Sequence, residues 1–67
     1  MKKLEKLQKE IMEIMTLIKG NKKSEAALSI ERVRLALYEV LDFTDDDEDL
    51  VRAGKFLKII EELESRL

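Results

Sequence analysis

Five consecutive acids, residues 45–49, are the side chains of this chain that most directly suggest chemistry, because carboxylates bind calcium. A helix–loop–helix calcium site needs ligands at alternating positions, a glycine at the sixth position and a glutamate at the twelfth. The run lacks that glycine and leads directly into a segment whose apolar residues recur at the spacing of a helix. Acids are favoured at the positive end of a helix dipole, and we expect Thr44, Asp45 or Asp46 to cap the following helix. We therefore predict no metal site here.

Two other sets of side chains are candidates for catalysis. Acid–base catalysis by glutamates needs a shielded pocket that separates the pKa values of two acids, and 67 residues leave little room for one beside a core. A serine nucleophile needs a base, and the sequence has no histidine; it also has no cysteine for a disulfide or a metal site. We expect no enzyme activity and no cofactor. The residues considered are Glu61, Glu62, Glu64, Ser24, Ser29 and Ser65.

The charge composition disfavours nucleic acid and membrane partners. Charged residues make up 42% of the chain, yet the formal net charge is only −2. A concentrated basic patch is typical of proteins that bind nucleic acids. The lysines here are instead interspersed with glutamates and have no aromatic residues between them. No apolar run approaches the ~20 residues of a membrane-spanning helix. The basic start is not followed by the apolar segment of a signal peptide, and we expect none.

Apolar residues recur at spacings of three and four in three segments, which predicts three amphipathic helices over 2–19, 24–42 and 47–67. Gly20 is expected to take a positive φ at the end of the first helix, and Ser24 to cap the second. Short connections predict that successive helices are antiparallel. The predicted fold is all-α: an antiparallel up-down-up three-helix bundle that forms a single domain over 1–67.

Each predicted helix has one apolar stripe that would face a common core. We expect Met15 to belong to this core, near its edge, and Phe56 to lie on its flank. The predicted core stripes are Leu4, Leu7, Ile11, Ile14 and Ile18; Ala26, Ile30, Val33, Leu37 and Val40 or Leu41; and Leu50, Ala53, Leu57, Ile60, Leu63 and Leu67.

Leu28 and Leu35 do not fit the core stripe of the second helix. At 100° per residue they point about 170–190° away from its centre, and their seven-residue spacing places both on one side. Two leucines in register beside Tyr38 are typical of a small protein-binding hot spot with a charged rim. The alternative is that bundle twist or the third helix covers one of them. We favour a partner contact, in which the rim residues are Glu31, Arg32, Glu39 and Asp42.

Two weaker sets could extend this surface. Val51 and Ile59 are expected to face away from the third core stripe, on either side of Lys55. Gly54 lies mid-helix, where it costs about 1 kcal/mol relative to alanine, and it could admit another backbone at close range. Met12 is turned about 100° or more from the first core stripe, so it could be a gap filler or an interface residue.

Several strings in the chain are of the kind used in designed helical scaffolds: Leu7-Gln8-Lys9, Glu13-Ile14-Met15, Ser24-Glu25-Ala26, Tyr38-Glu39, Asp47-Glu48-Asp49-Leu50 and Glu61-Glu62-Leu63-Glu64. In these strings the chain resembles computationally designed three-helix miniprotein binders over its whole length. The resemblance implies a rigid bundle with a flat interface on two of three helices, which blocks a folded target such as a receptor or viral surface protein. Gly54, the Phe43-Thr44 pair and three methionines depart from an idealised scaffold. They belong to the interface or indicate a natural origin.

Three hypotheses follow. In the first, the chain is a binding module, monomeric when free, with Leu28 and Leu35 as anchors in a folded protein target. The alternative is a natural or designed small helical protein whose second apolar stripe mediates homo-oligomerisation. A third, a small natural regulator that binds nucleic acid, is disfavoured by the charge distribution.

Overall fold

Three α-helices make up most of the chain in the computed structural model, which describes residues 2–67. They are α1 (Lys2–Lys19), α2 (Lys23–Phe43) and α3 (Asp47–Ser65), and this described part contains no strand. All three helices pack on one another, and α1 and α3 make the smallest contact. The predicted all-α three-helix bundle is confirmed. The second and third helices differ from the predicted bounds by one or two residues, since α2 is longer and α3 ends at Ser65.

The predicted stripes supply the core. Leu67 is an exception, because it follows the end of α3 and is 36% exposed. Ile18, Leu41, Leu50, Phe56 and Leu57 are only partly buried at the edges. The fully buried core consists of Leu4, Leu7, Ile11 and Ile14 in α1, of Ala26, Ile30, Val33, Leu37 and Val40 in α2, and of Ala53, Ile60 and Leu63 in α3.

The first connection differs from the prediction for Gly20. The residue with a positive φ is Asn21, at 59°, and Gly20 does not have one. The Lys22 amide donates to the Leu17 carbonyl at 2.9 Å, and the Asn21 amide donates to the Ile18 carbonyl at 3.1 Å. These are the two bonds of a Schellman motif with Asn21 as its left-handed residue. Asparagine is one of the few residues that adopt this conformation readily, so the turn does not need glycine there.

The predicted Ser24 cap is wrong. Helix α2 begins at Lys23, and its N-cap residue is Lys22, which makes no side-chain capping bond. The Lys22 carbonyl accepts from the Ala26 amide at 3.0 Å, which is the first hydrogen bond of the helix.

The acidic run contains the cap of α3. The Asp46 carboxylate accepts from the backbone amides of Glu48 and Asp49 at 2.8 and 3.4 Å. The Asp46 amide in turn donates to the Thr44 hydroxyl at 3.3 Å. Capping by this segment is therefore confirmed for Asp46, and the acids after it occupy the first turn, where the helix dipole favours them.

Candidate protein-binding face of α2

Leu28 and Leu35 are both exposed on the side of α2 opposite the core. The exposed fractions of these residues are 71% and 65%, while the core residues of the same helix are almost completely buried. The alternative in which the bundle covers one of these leucines is therefore wrong. We define the α2 outer face as Leu28 and Leu35 with their exposed neighbours Glu31, Arg32, Tyr38, Glu39 and Asp42.

Two acids of this face are engaged in ion pairs within the molecule. Glu31 accepts from Arg34 Nη1 at 2.6 Å, and Glu39 accepts from Lys3 Nζ at 3.0 Å. Both carboxylates are more than half exposed, so each pair is worth no more than about 1 kcal/mol. Sequence reasoning assigned these acids to a partner, and the structure gives them partners on α1 and α2.

Arg34 borders the face on the α3 side. Its Nη2 donates to Glu64 at 2.7 Å, so one guanidinium bridges carboxylates of α2 and α3. The hydrogen bond to Glu64 raises the pKa of Arg34 above its ordinary value, against the opposing effect of burial. Because the Glu64 side chain is 48% exposed, this bridge between α2 and α3 contributes no more than about 1 kcal/mol.

Arg32 borders the face on the α1 side. Its Nη2 donates to the Ser29 hydroxyl at 3.3 Å, and within residues 2–67 it forms no ion pair. It lines a cleft of about 70 Å³ between α1 and α2 with Ser29, Glu10 and Glu13. The charge of Arg32 thus remains available to a partner on this flank.

Phe43, which the sequence predicts in the connection after α2, is the most exposed of the large apolar residues in the described part of the chain. It is the last residue of α2 and is 82% exposed. The predicted helix ends at residue 42, whereas α2 continues through Phe43. Its spacing of eight residues from Leu35 is the signal that could have placed it next to the outer face.

The candidate residues of α3 are only partly on the surface. Val51 is 58% exposed and Lys55 is exposed. Ile59, which was expected to face outward, is instead half-buried and packs against the core. The prediction for Ile59 is wrong because the contact between helices reaches further around α3 than its narrow stripe indicated. A Cβ atom on Gly54 would meet nothing within 4 Å, so no backbone approaches it within the bundle.

The methionines of α1 both face solvent. Met12 is 61% exposed, and Met15, which was expected at the core edge, is 40% exposed, so that prediction is wrong. The open depression beside Met12 is lined by α1 alone, and those beside Val51 and Ile59 are lined by α3 alone. The structure therefore does not join these residues to the α2 outer face in one groove.

Neither a metal site nor a membrane span is found in the part of the chain that the structure describes. No three acidic residues of 2–67 lie close enough together to hold a metal ion. None of the helices there combines the length and hydropathy needed to cross a bilayer.

Comparisons with protein-family models, curated proteins and solved structures find no match to this chain.

Proposed function

We propose that this chain is a protein-binding module of the designed three-helix miniprotein kind, which engages a folded target through the α2 outer face and blocks that target's other contacts. The observation that carries the proposal is the exposure of Leu28 and Leu35, 71% and 65%, on a helix whose other face is already buried. Full burial of a leucine stabilises by about 1.5–3 kcal/mol, so two leucines against one partner supply a hot spot. Tyr38, 49% exposed, adds an aromatic contact with a polar tip.

The regular helical backbone of the α2 outer face supports this proposal. The α2 outer face lies on a regular helix of 21 residues, which packs on both neighbours. A preformed helical surface loses little conformational entropy on binding, because no segment has to order. The same property makes such a face an effective blocker of a complementary surface.

Homo-oligomerisation through the same face is the rival function, since an outward leucine pair can also pair with its own copy. Sedimentation across a range of about a thousandfold in concentration distinguishes the two, because only self-association depends on chain concentration. A constant mass of 7.8 kDa supports the binding module. A larger mass that disappears in Leu35→Glu supports the rival.

Binding is tested with a panel of purified receptor ectodomains and viral attachment domains presented to the immobilised chain. For each domain that binds, the double variant Leu28→Ala/Leu35→Ala should lose at least about 2 kcal/mol, or roughly thirtyfold in affinity. The matched control is Val51→Ala, which removes a comparably exposed apolar side chain from α3. An affinity that survives the double variant would exclude the α2 outer face as the binding site.

A further inference from the structure

The two exposed methionines of α1 lie at different distances from its core stripe. At 100° per residue, Met15 is about 60° from the centre of the buried stripe, and Met12 is about 120° from it in the same direction. Met15 is the more covered of the two, with 40% of its surface exposed against 61% for Met12. Met15 therefore lies just outside the packed side of α1, whereas Met12 lies well clear of it.

The flank of α1 that carries Met15 is the one beside α3. Lys3 and Glu10 lie about 60–80° from the centre of the stripe in the opposite direction. Lys3 Nζ donates to Glu39 of α2 at 3.0 Å, and Glu10 lines the cleft between α1 and α2. Helix α2 therefore covers that flank, and α3, which also packs on α1, lies on the flank of Met15.

Helix α3 has an apolar side chain on the corresponding flank. Ile59 lies about 140° around α3 from Glu64, which bonds to α2, yet Ile59 is half-buried and packs against the core. The helix that covers this flank is α1, because α2 lies on the side of Glu64. We define the α1–α3 seam as the boundary between these helices, with Met15 on one side and Ile59 on the other. This contact is the smallest of the three between helices.

We infer that Met15 is a modification site for hydrogen peroxide and that its oxidation loosens the α1–α3 seam. The thioether sulfur donates an electron pair to one peroxide oxygen, a sulfur–oxygen bond forms and the O–O bond breaks. The proton of the transferred oxygen passes to the other oxygen, which leaves as water. The sulfur is oxidised by two electrons and the peroxide is reduced by two. The product is a polar sulfoxide, which is unfavourable at an apolar boundary between helices.

The composition leaves peroxide few other targets. The chain has no cysteine and no tryptophan, and its third methionine, Met1, lies outside the described residues. The exposure of Met15 lets the oxidant reach its sulfur in the folded molecule, without prior unfolding. The inference goes beyond the proposed function, because neither Met12 nor Met15 belongs to the α2 outer face.

Two variants that each keep one of these methionines provide the test and its matched control. Met12→Leu retains Met15, Met15→Leu retains Met12, and Met1 is common to both, so its oxidation cancels in the comparison. After complete oxidation by hydrogen peroxide, the urea midpoint of Met12→Leu should fall by about 0.5 M or more. The midpoint of Met15→Leu should fall by less than half as much. The two epimer-specific methionine sulfoxide reductases together should restore both midpoints.

Two further measurements locate the reaction and its effect. The tryptic peptide 10–19 contains both Met12 and Met15, and its fragmentation in a mass spectrometer distinguishes them. In the folded parent chain, Met15 should be oxidised at a rate within about fivefold of its rate in concentrated urea, because the sulfur is accessible in both states. In ¹⁵N-labelled Met12→Leu, oxidation should shift amide signals of α3 as well as those of α1.

Each of four results overturns the inference. The first is a loss of midpoint in Met12→Leu that is no greater than the loss in Met15→Leu. The second is a loss that the reductases do not reverse, which would show damage other than sulfoxide formation. The third is a protection of Met15 by more than about fivefold in the folded chain, and the fourth is a set of amide shifts confined to α1.

Discussion

Replacing Leu35 by alanine should barely change the stability of the bundle, whereas replacing Leu37 should be among the most damaging substitutions. The two residues are of the same type and lie two positions apart on α2, so the intrinsic helix-propensity effect of each change is the same. Their environments differ almost as much as possible, with Leu35 65% exposed and Leu37 completely buried. The pair therefore tests directly which side of α2 faces the core.

The expected magnitudes follow from burial. About one third of Leu35 is buried, so its truncation removes about 0.5–1 kcal/mol of hydrophobic stabilisation, and the better helix propensity of alanine offsets a few tenths of this. Truncation of a fully buried leucine costs about 2–5 kcal/mol, because it also leaves a cavity. A 67-residue domain has a free energy of unfolding of roughly 3–10 kcal/mol, so Leu37→Ala is expected to leave a substantial unfolded population.

Urea unfolding followed by circular dichroism measures both changes. With a slope of about 1 kcal/mol per molar urea, Leu35→Ala should lower the midpoint by about 0.8 M or less, and Leu37→Ala by about 2 M or more. The parent chain should show the same midpoint when diluted about tenfold, as a monomer does.

Comparable losses in the two variants would refute the placement of Leu35 on an open face. Such a result combined with a concentration-dependent midpoint would show that Leu35 is buried against another copy. Comparable losses with no concentration dependence would show that α2 is rotated relative to the packing described here.

Three further predictions concern single backbone and cap positions, all measured by the shift of the unfolding midpoint. Asn21→Gly should stabilise the bundle by about 0.5–1 kcal/mol, because Asn21 has a φ of 59° and glycine adopts this conformation without steric cost. Asn21→Val should destabilise the bundle by more than about 1 kcal/mol, because a side chain branched at Cβ is strained there. Asp46→Ala should cost about 1 kcal/mol through loss of the α3 cap, whereas Asp45→Ala, which removes no bond, should stay within about 0.5 kcal/mol. Gly54→Ala should stabilise by about 1 kcal/mol, since its Cβ enters open space; destabilisation would indicate a contact not present in this bundle.

The sequence predicted the bundle well because its core stripes are regular. In α2 the spacing of Ala26, Ile30, Val33 and Leu37 matches the helical repeat, so burial of one face also determined that Leu28 faces outward. This reasoning depends only on helical geometry, which tertiary packing did not alter.

The errors lie where tertiary structure decides between similar local options. Asn21 and Gly20 both accept a left-handed conformation, and the bonding of the turn selects the asparagine. Met15 and Ile59 lie at the sides of their stripes, where the relative rotation of two helices determines which residue is covered. Phe43 lies on α2 and not in the predicted connection, because helix ends are set by cap geometry more than by periodicity.

The small contact between α1 and α3 has a consequence for how the chain reaches its folded state. Most contacts join helices that are neighbours along the chain, and each connection is three residues long. Chains dominated by such local contacts fold within microseconds to milliseconds, because little loop-closure entropy is lost before contacts form. The core leucines are therefore exposed only briefly in each folding event, whereas those of the α2 outer face are exposed throughout the life of the native molecule. Any aggregation at high concentration should thus begin from folded chains, through that face, and not from unfolded ones.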